Sequence, residues 1–137
     1  MVRTAVLFAL VGMVTWGIWA VFADKATRTL EPEVAMAISY AVGVGVALVY
    51  IASQSGSVSL SGPGVTYAIA GGLFSGIGSI SYYAALQRGN TAIATTITAL
   101  YFVVAAVLGV VFLGESVDVR DMARVGLAIG AVAMLST

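Results

Sequence analysis

Apolar residues fall along this chain in long runs that polar clusters interrupt, with neither the strict alternation of a strand nor a one-sided helical stripe. A run of about 20 mostly apolar residues crosses a bilayer as a helix rising about 1.5 Å per residue. On that measure the pattern predicts five spans, over about residues 2–22, 32–52, 65–86, 91–113 and 119–135. The first interruption, Ala23 to Glu33, holds Asp24, Lys25, Arg28, Glu31 and Glu33, and Pro32 within it suits the first turn of the next helix, where a missing amide donor costs little. Ser53, Gln54, Ser55 and Gly56 open the second, and Gly62, Pro63 and Gly64 close it as a turn. Gln87, Arg88, Gly89 and Asn90 mark the third, and Gly114 to Asp118 the fourth.

The last run is the weakest. Its first turns carry Arg120, Asp121 and Arg124, and the uninterrupted part from Val125 to Leu135 is too short to cross alone. It spans only if the arginines snorkel, the bilayer thins or a partner helix shields it. The first run reads as a retained span rather than a signal peptide: Arg3 is a thin charged region, and Ala20, Val21, Phe22 and Ala23 run into Asp24 and Lys25 without a clear cleavage site.

Composition agrees with a bilayer as the solvent. Of 137 residues, 61% are hydrophobic and 9% charged, against about 25% charged in soluble domains. Mean hydropathy is +1.07. The expectation is one all-α integral membrane domain over residues 1–137, a bundle of about five helices.

There is no cysteine and no histidine, which removes thiol chemistry and the commonest metal and acid/base ligand. Asp24, Glu31, Glu33, Arg88, Glu115, Asp118, Asp121 and Arg124 all fall at or near span ends, so no ion relay and no carboxylate pair is expected inside the membrane. Enzymatic activity, a catalytic residue, a metal and a cofactor are therefore not expected. Zero formal charge without a basic run sets nucleic acid aside.

Lys and Arg in short loops normally mark the cytoplasmic side. With five alternating spans, Arg3, Arg120 and Arg124 fall on one side and Lys25, Arg28 and Arg88 on the other. The tie gives no preferred orientation. It permits insertion both ways and pairing of two copies as an antiparallel homodimer, unless folding or a partner sets one orientation.

Solute contact is left to neutral and aromatic groups. Candidates are Thr15, Trp16 and Trp19 in the first span, Tyr40 in the second, Ser75, Ser79, Tyr82 and Tyr83 in the third, and Thr95, Thr98 and Tyr101 in the fourth. Trp16 and Trp19 share one helix face, and Thr95, Thr98 and Tyr101 or Phe102 another. The competing reading is interfacial belt residues, with Ser and Thr bonded to their own preceding carbonyls. It suits Tyr50 and Tyr67, but not Trp16 near mid-span, which either lines a cavity or packs. Gly72 with Gly76, and Gly126 with Gly130, form small-xxx-small pairs for close helix approach. The second pair joins either two copies or two helices of one copy, and Glu115 is expected to cap the last helix or pair with Arg120 or Arg124.

Three groups of residues carry a resemblance. Val110, Val111, Phe112, Leu113, Gly114 and Glu115 close an apolar helix before a short polar turn and a glycine-containing helix; Tyr82, Tyr83, Ala84, Ala85 and Leu86 precede a glycine-containing turn; Trp16 and Gly17 lie inside the first span. In this order, over nearly the whole chain, they resemble the EamA domain of the drug/metabolite transporter superfamily. Larger members are similar to two such units fused in inverted topology, ten helices with the substrate cavity between halves. The resemblance implies that this chain is one unit, as in the short bacterial and archaeal branch. Antiparallel dimerisation would then complete the inverted repeat, and a small metabolite or drug-like solute would move by alternating access in a prokaryotic inner membrane. A non-transporting helical membrane module, or one half of a heterodimer, is the alternative.

Two departures qualify it. The small multidrug resistance branch resembles a unit with an essential glutamate in its first helix, whereas residues 2–22 carry Arg3 at the edge and no acid, so that mode of proton-coupled cation export is not expected. Many EamA units place a proline after the tyrosine-like position of the fourth helix. Here Tyr101 is followed by Phe102, and a straighter helix is expected.

Overall fold

A computed structural model describes the chain except Met1, Ser55, Ser57, Ser59, Ser61, residues 115–117 and residues 136–137. The expected cap Glu115 lies outside the described residues. Six helices follow one another: α1 (Val2–Thr27), α2 (Pro32–Ser53), α3 (Pro63–Arg88), α4 (Thr91–Ala99), α5 (Tyr101–Leu113) and α6 (Val119–Leu135). Among the described residues there is no strand. Helices are the one open-ended way for a single segment to satisfy every backbone group inside lipid.

Local chemistry explains the ends. α1 runs to Thr27, five residues past its expected end at 22. The polar residues there sustain the helix: the Arg28 guanidinium reaches the Asp24 carboxylate four positions back at 2.8 Å, and the Thr27 hydroxyl donates to the Asp24 carbonyl at 2.9 Å. The pair is i, i+4 and mostly solvent-facing on the arginine side, so it supports the last turn by a few tenths of a kcal/mol. Pro32 stands in the first turn of α2 and Glu33 beside it adds negative charge at the positive end of the helix dipole. Before α3, Gly62 takes φ +92°, a left-handed value that glycine adopts without a Cβ penalty. Asn90 caps α4 by accepting the Ala92 amide at 2.8 Å.

The expected fourth span is divided into two helices, which hydropathy alone did not announce. Leu100 separates α4 from α5. Its amide turns to the Ile97 carbonyl at 3.1 Å, and the Val103 amide to the Leu100 carbonyl at 2.8 Å, both three residues back rather than four. No proline is involved. Thr95, Thr96 and Thr98 crowd the preceding turns with β-branched side chains, and the Thr96 hydroxyl donates to the Ala92 carbonyl at 2.7 Å, the kind of back-bonding that bends helices.

The chain divides into two compact units, Met1–Arg88 and Gly89–Thr137. In the first unit α1, α2 and α3 all pack on one another; in the second, α4 packs on α6. Four stretches are long and apolar enough to cross a membrane, Arg3–Thr27, Pro32–Ser53, Pro63–Arg88 and Thr91–Phe112. At most 17% of any of these windows is buried inside the protein. The apolar surface of Val6, Leu7, Phe8, Val42, Val49, Leu73, Phe74 and Phe112 is exposed on a scale that water does not tolerate and lipid requires. The protein is an all-α integral membrane bundle. α6, at 17 residues, reaches about 26 Å and falls short of a hydrocarbon core of about 30 Å.

Candidate functional site

Buried side chains of the first unit gather at one end of its three helices. Ala20, Ala23 and Thr27 of α1, Pro32 and Ala35 of α2, and Tyr82, Tyr83 and Leu86 of α3 are all buried. Small residues on α1 and α2 leave room for the two tyrosines of α3, so the helices close around rings rather than around branched aliphatics.

Trp19 lies against both tyrosines. Its ring stacks on Tyr82 at 5.4 Å between centroids and meets Tyr83 edge-on at 5.7 Å, while the two tyrosines are perpendicular at 6.3 Å. Such pairs add about 0.5–1.5 kcal/mol each beyond packing. Tyr83 has no exposed surface, and its hydroxyl donates to the Ser39 hydroxyl at 2.8 Å. One helical turn on, the Gln87 amide reaches the Thr27 carbonyl at 3.4 Å.

Next to the ring cluster sits a line of hydroxyls. The Tyr40 hydroxyl is hydrogen-bonded to Ser75 Oγ at 3.0 Å and also to Ser79 Oγ. Ser75 and Ser79 are four apart and so lie one above the other on α3. Among the described residues no buried side-chain nitrogen or oxygen lacks a hydrogen-bond partner, as an apolar surrounding demands. The arrangement offers neutral donors and acceptors and π faces, and no charge, to whatever approaches it.

The structure brings together Trp19, Tyr40, Ser75, Ser79, Tyr82 and Tyr83. It holds Trp16 apart from them: although three residues before Trp19, Trp16 is 63% exposed. The Thr15 hydroxyl is turned back to the Val11 carbonyl at 2.8 Å. Thr15 also edges an open apolar groove of about 320 Å³ whose other walls are Leu7, Leu10, Val11 and Val14, all of α1. Thr95, Thr98 and Tyr101 belong to the second unit, where Thr95 is half-buried and the other two are exposed. Gly72, Gly76, Gly126 and Gly130 have no described atom within 4 Å of where a Cβ would stand, other than their own helix's backbone.

Ser39 was not singled out from the sequence. A signal existed, because Ser39 and Tyr40 are a polar pair deep in an otherwise apolar run. Its meaning depends on Tyr83, 44 residues away, which no local pattern reveals.

Comparison with curated proteins and with solved structures returned no match. The model of the EamA-like transporter family matches residues 3–137. That match spans both units and reaches all six helices. On it the chain belongs to the EamA-like transporter family.

Proposed function

We propose that the chain moves a small neutral, zwitterionic or amphipathic solute by alternating access, as an antiparallel homodimer whose solute site lies at the dimer midplane. Membership of the family makes it a membrane transporter of the drug/metabolite superfamily; the solute class, the mechanism and the assembly are the proposal. One observation carries the solute class. The polar groups of the ring cluster and the hydroxyl line are hydroxyls and an indole, those of Trp19, Ser39, Tyr40, Ser75, Ser79, Tyr82 and Tyr83, while Asp24, Lys25, Arg28, Glu31, Glu33 and Arg88 stand at or near the helix ends. A solute that sheds its water there meets partners for hydrogen bonds and stacking but no counter-ion.

The charge tie supports the assembly. Lys25, in the last turn of α1, and Arg88, in the last turn of α3, share one pole of the first unit, with Arg28 just beyond α1. Arg3 stands at the opposite end of α1. In the five-span topology Arg120 and Arg124 join Arg3, three against three, and neither orientation is favoured. Two copies of opposite orientation would make the inverted pair that such transporters use for alternating access. The proposed setting is a prokaryotic inner membrane.

Flux into proteoliposomes tests the reading. With a panel of radiolabelled neutral and zwitterionic amphipathic solutes, at least one is expected to enter saturably. Trp19→Ala is expected to lower that uptake about tenfold or more, the factor lost with roughly 1.4 kcal/mol of solute contact at the indole of the ring cluster. Uptake that never saturates for any member of the panel contradicts transport of this class and favours a non-transporting module.

A further inference from the structure

The first unit is joined at one pole and parted at the other. Every buried residue in it lies between Ala20 and Ala35 on α1 and α2, or between Tyr82 and Leu86 on α3. Towards the other pole, no described residue of 3–18, 41–53 or 63–75 is buried, and Gly12 alone among them is even half-buried. A three-helix bundle in contact along its whole length would bury an inward-facing residue in every turn or two. The inward faces of α1, α2 and α3 therefore separate above the ring cluster.

Register locates where they separate. Ser39 beside Tyr83, and Tyr40 beside Ser75 and Ser79, set α2 and α3 antiparallel. Half-buried Ser39 is the last residue of α2 before the exposed stretch, which Tyr40 opens, and Ser75 is the last of the exposed stretch on α3. Beyond them the two helices present Gly43, Gly45, Gly71 and Gly72, each with open space where a Cβ would be. Glycines so spread around two helices leave few side chains to interlock, so the helices can approach or draw apart there. Below them, Tyr83 and Leu86 are locked by packing.

We infer that Tyr40 is a clasp: its hydroxyl, held between Ser75 and Ser79, is the hinge point about which the glycine-bearing ends of α2 and α3 part and rejoin while the Tyr83 pole stays fixed. The pair of serine hydroxyls suits this role. Because Ser75 and Ser79 are one turn apart, a small slide of α3 along α2 loosens one hydrogen bond and keeps the other, so the clasp gives way in steps rather than at once. A side chain that is 38% exposed is also open to competition from a hydroxyl or carbonyl arriving between the helices, which would release it. The inference rests on the first unit alone and stands whether or not the chain pairs or transports.

The chain has no cysteine, so spin labels can be placed in the full-length protein without removing any native thiol. One pair, Val46→Cys with Ile69→Cys, reports the parted pole; the other, Glu33→Cys with Ala85→Cys, reports the joined pole; all four positions are exposed. In liposomes, with unlabelled chain in excess to dilute distances between copies, pulsed dipolar spectroscopy is expected to show two populations at the first pair and one at the second. Tyr40→Phe is expected to raise the parted-to-joined ratio at the first pair about fivefold, the factor one ordinary hydrogen bond supplies, and to leave the second pair unchanged. Ser75→Ala and Ser79→Ala singly are expected to have smaller effects, and together to match Tyr40→Phe. The inference is overturned if Tyr40→Phe leaves the first pair unchanged, or if it shifts both pairs alike, which would mean that Tyr40 supports the whole unit rather than a hinge.

Discussion

Tyr83→Ala is expected to destabilise the first unit by about 3–5 kcal/mol, the range for removing a fully buried ring, and Tyr83→Phe by about 1 kcal/mol, the worth of one hydrogen bond. Tyr83 has no exposed surface and touches both other rings of the cluster. In a bilayer the loss is not one of transfer from water, since lipid is as apolar as the helix interior; it is a loss of close contacts and of a cavity filled by nothing. Ser39 would in addition keep a hydroxyl whose partner had gone. Unfolding of the full chain in detergent, followed by tryptophan fluorescence, reads the change, with Trp19 stacked beside the site. A cost below about 1 kcal/mol for the alanine variant would mean that the rings are not what joins α1 to α3.

The second large effect concerns orientation. A Gln54→Lys substitution adds one positive charge after α2, and Thr29→Lys adds one between α1 and α2, on the opposite side; both positions are exposed. Each turns a three-to-three tie into four against three, in opposite senses. Under the antiparallel proposal each variant alone loses transport by about tenfold or more, because one orientation becomes scarce, and co-expression of the two restores it. The variants are far from the ring cluster and alter neither Tyr40 nor Tyr83, so loss with restoration separates a missing partner from a damaged protein. Loss that co-expression does not restore, or no loss at all, contradicts the proposal.

Most of the helical plan is visible in the sequence for a simple reason. Lipid sets a length and a composition for each span, and the runs ending before Ser53 and Arg88 satisfy both without help from tertiary contacts. Where the ends moved, the cause was local chemistry that hydropathy does not weigh. Asp24 and Lys25 read as loop residues by polarity, but a carboxylate and a guanidinium four positions apart favour another turn of helix. The break at Leu100 has neither glycine nor proline to announce it and arises from threonines that are compatible with either a straight or an interrupted helix.

The candidate site was legible by residue type and not by arrangement. Trp19, Tyr82 and Tyr83 stood out as aromatics, yet only the packing of α1 on α3 makes them one cluster. Trp16 and Trp19 share a face by periodicity, but the joined pole ends between them and leaves Trp16 exposed. Small residues were the hardest to read. Ala20, Ala23 and Ala35 define where three helices meet because they are small enough to admit the tyrosines, and an alanine in an apolar run carries no visible mark of that role.

The antiparallel assembly at the centre of this account is tested most directly by the orientation of the native chain. A dual reporter fused after Thr137, one half active only inside the cell and the other only outside, counts the copies facing each way. Comparable signal from both halves is expected. Signal from one half alone would contradict it, and would assign completion of the inverted pair to a different chain or leave the protein without one.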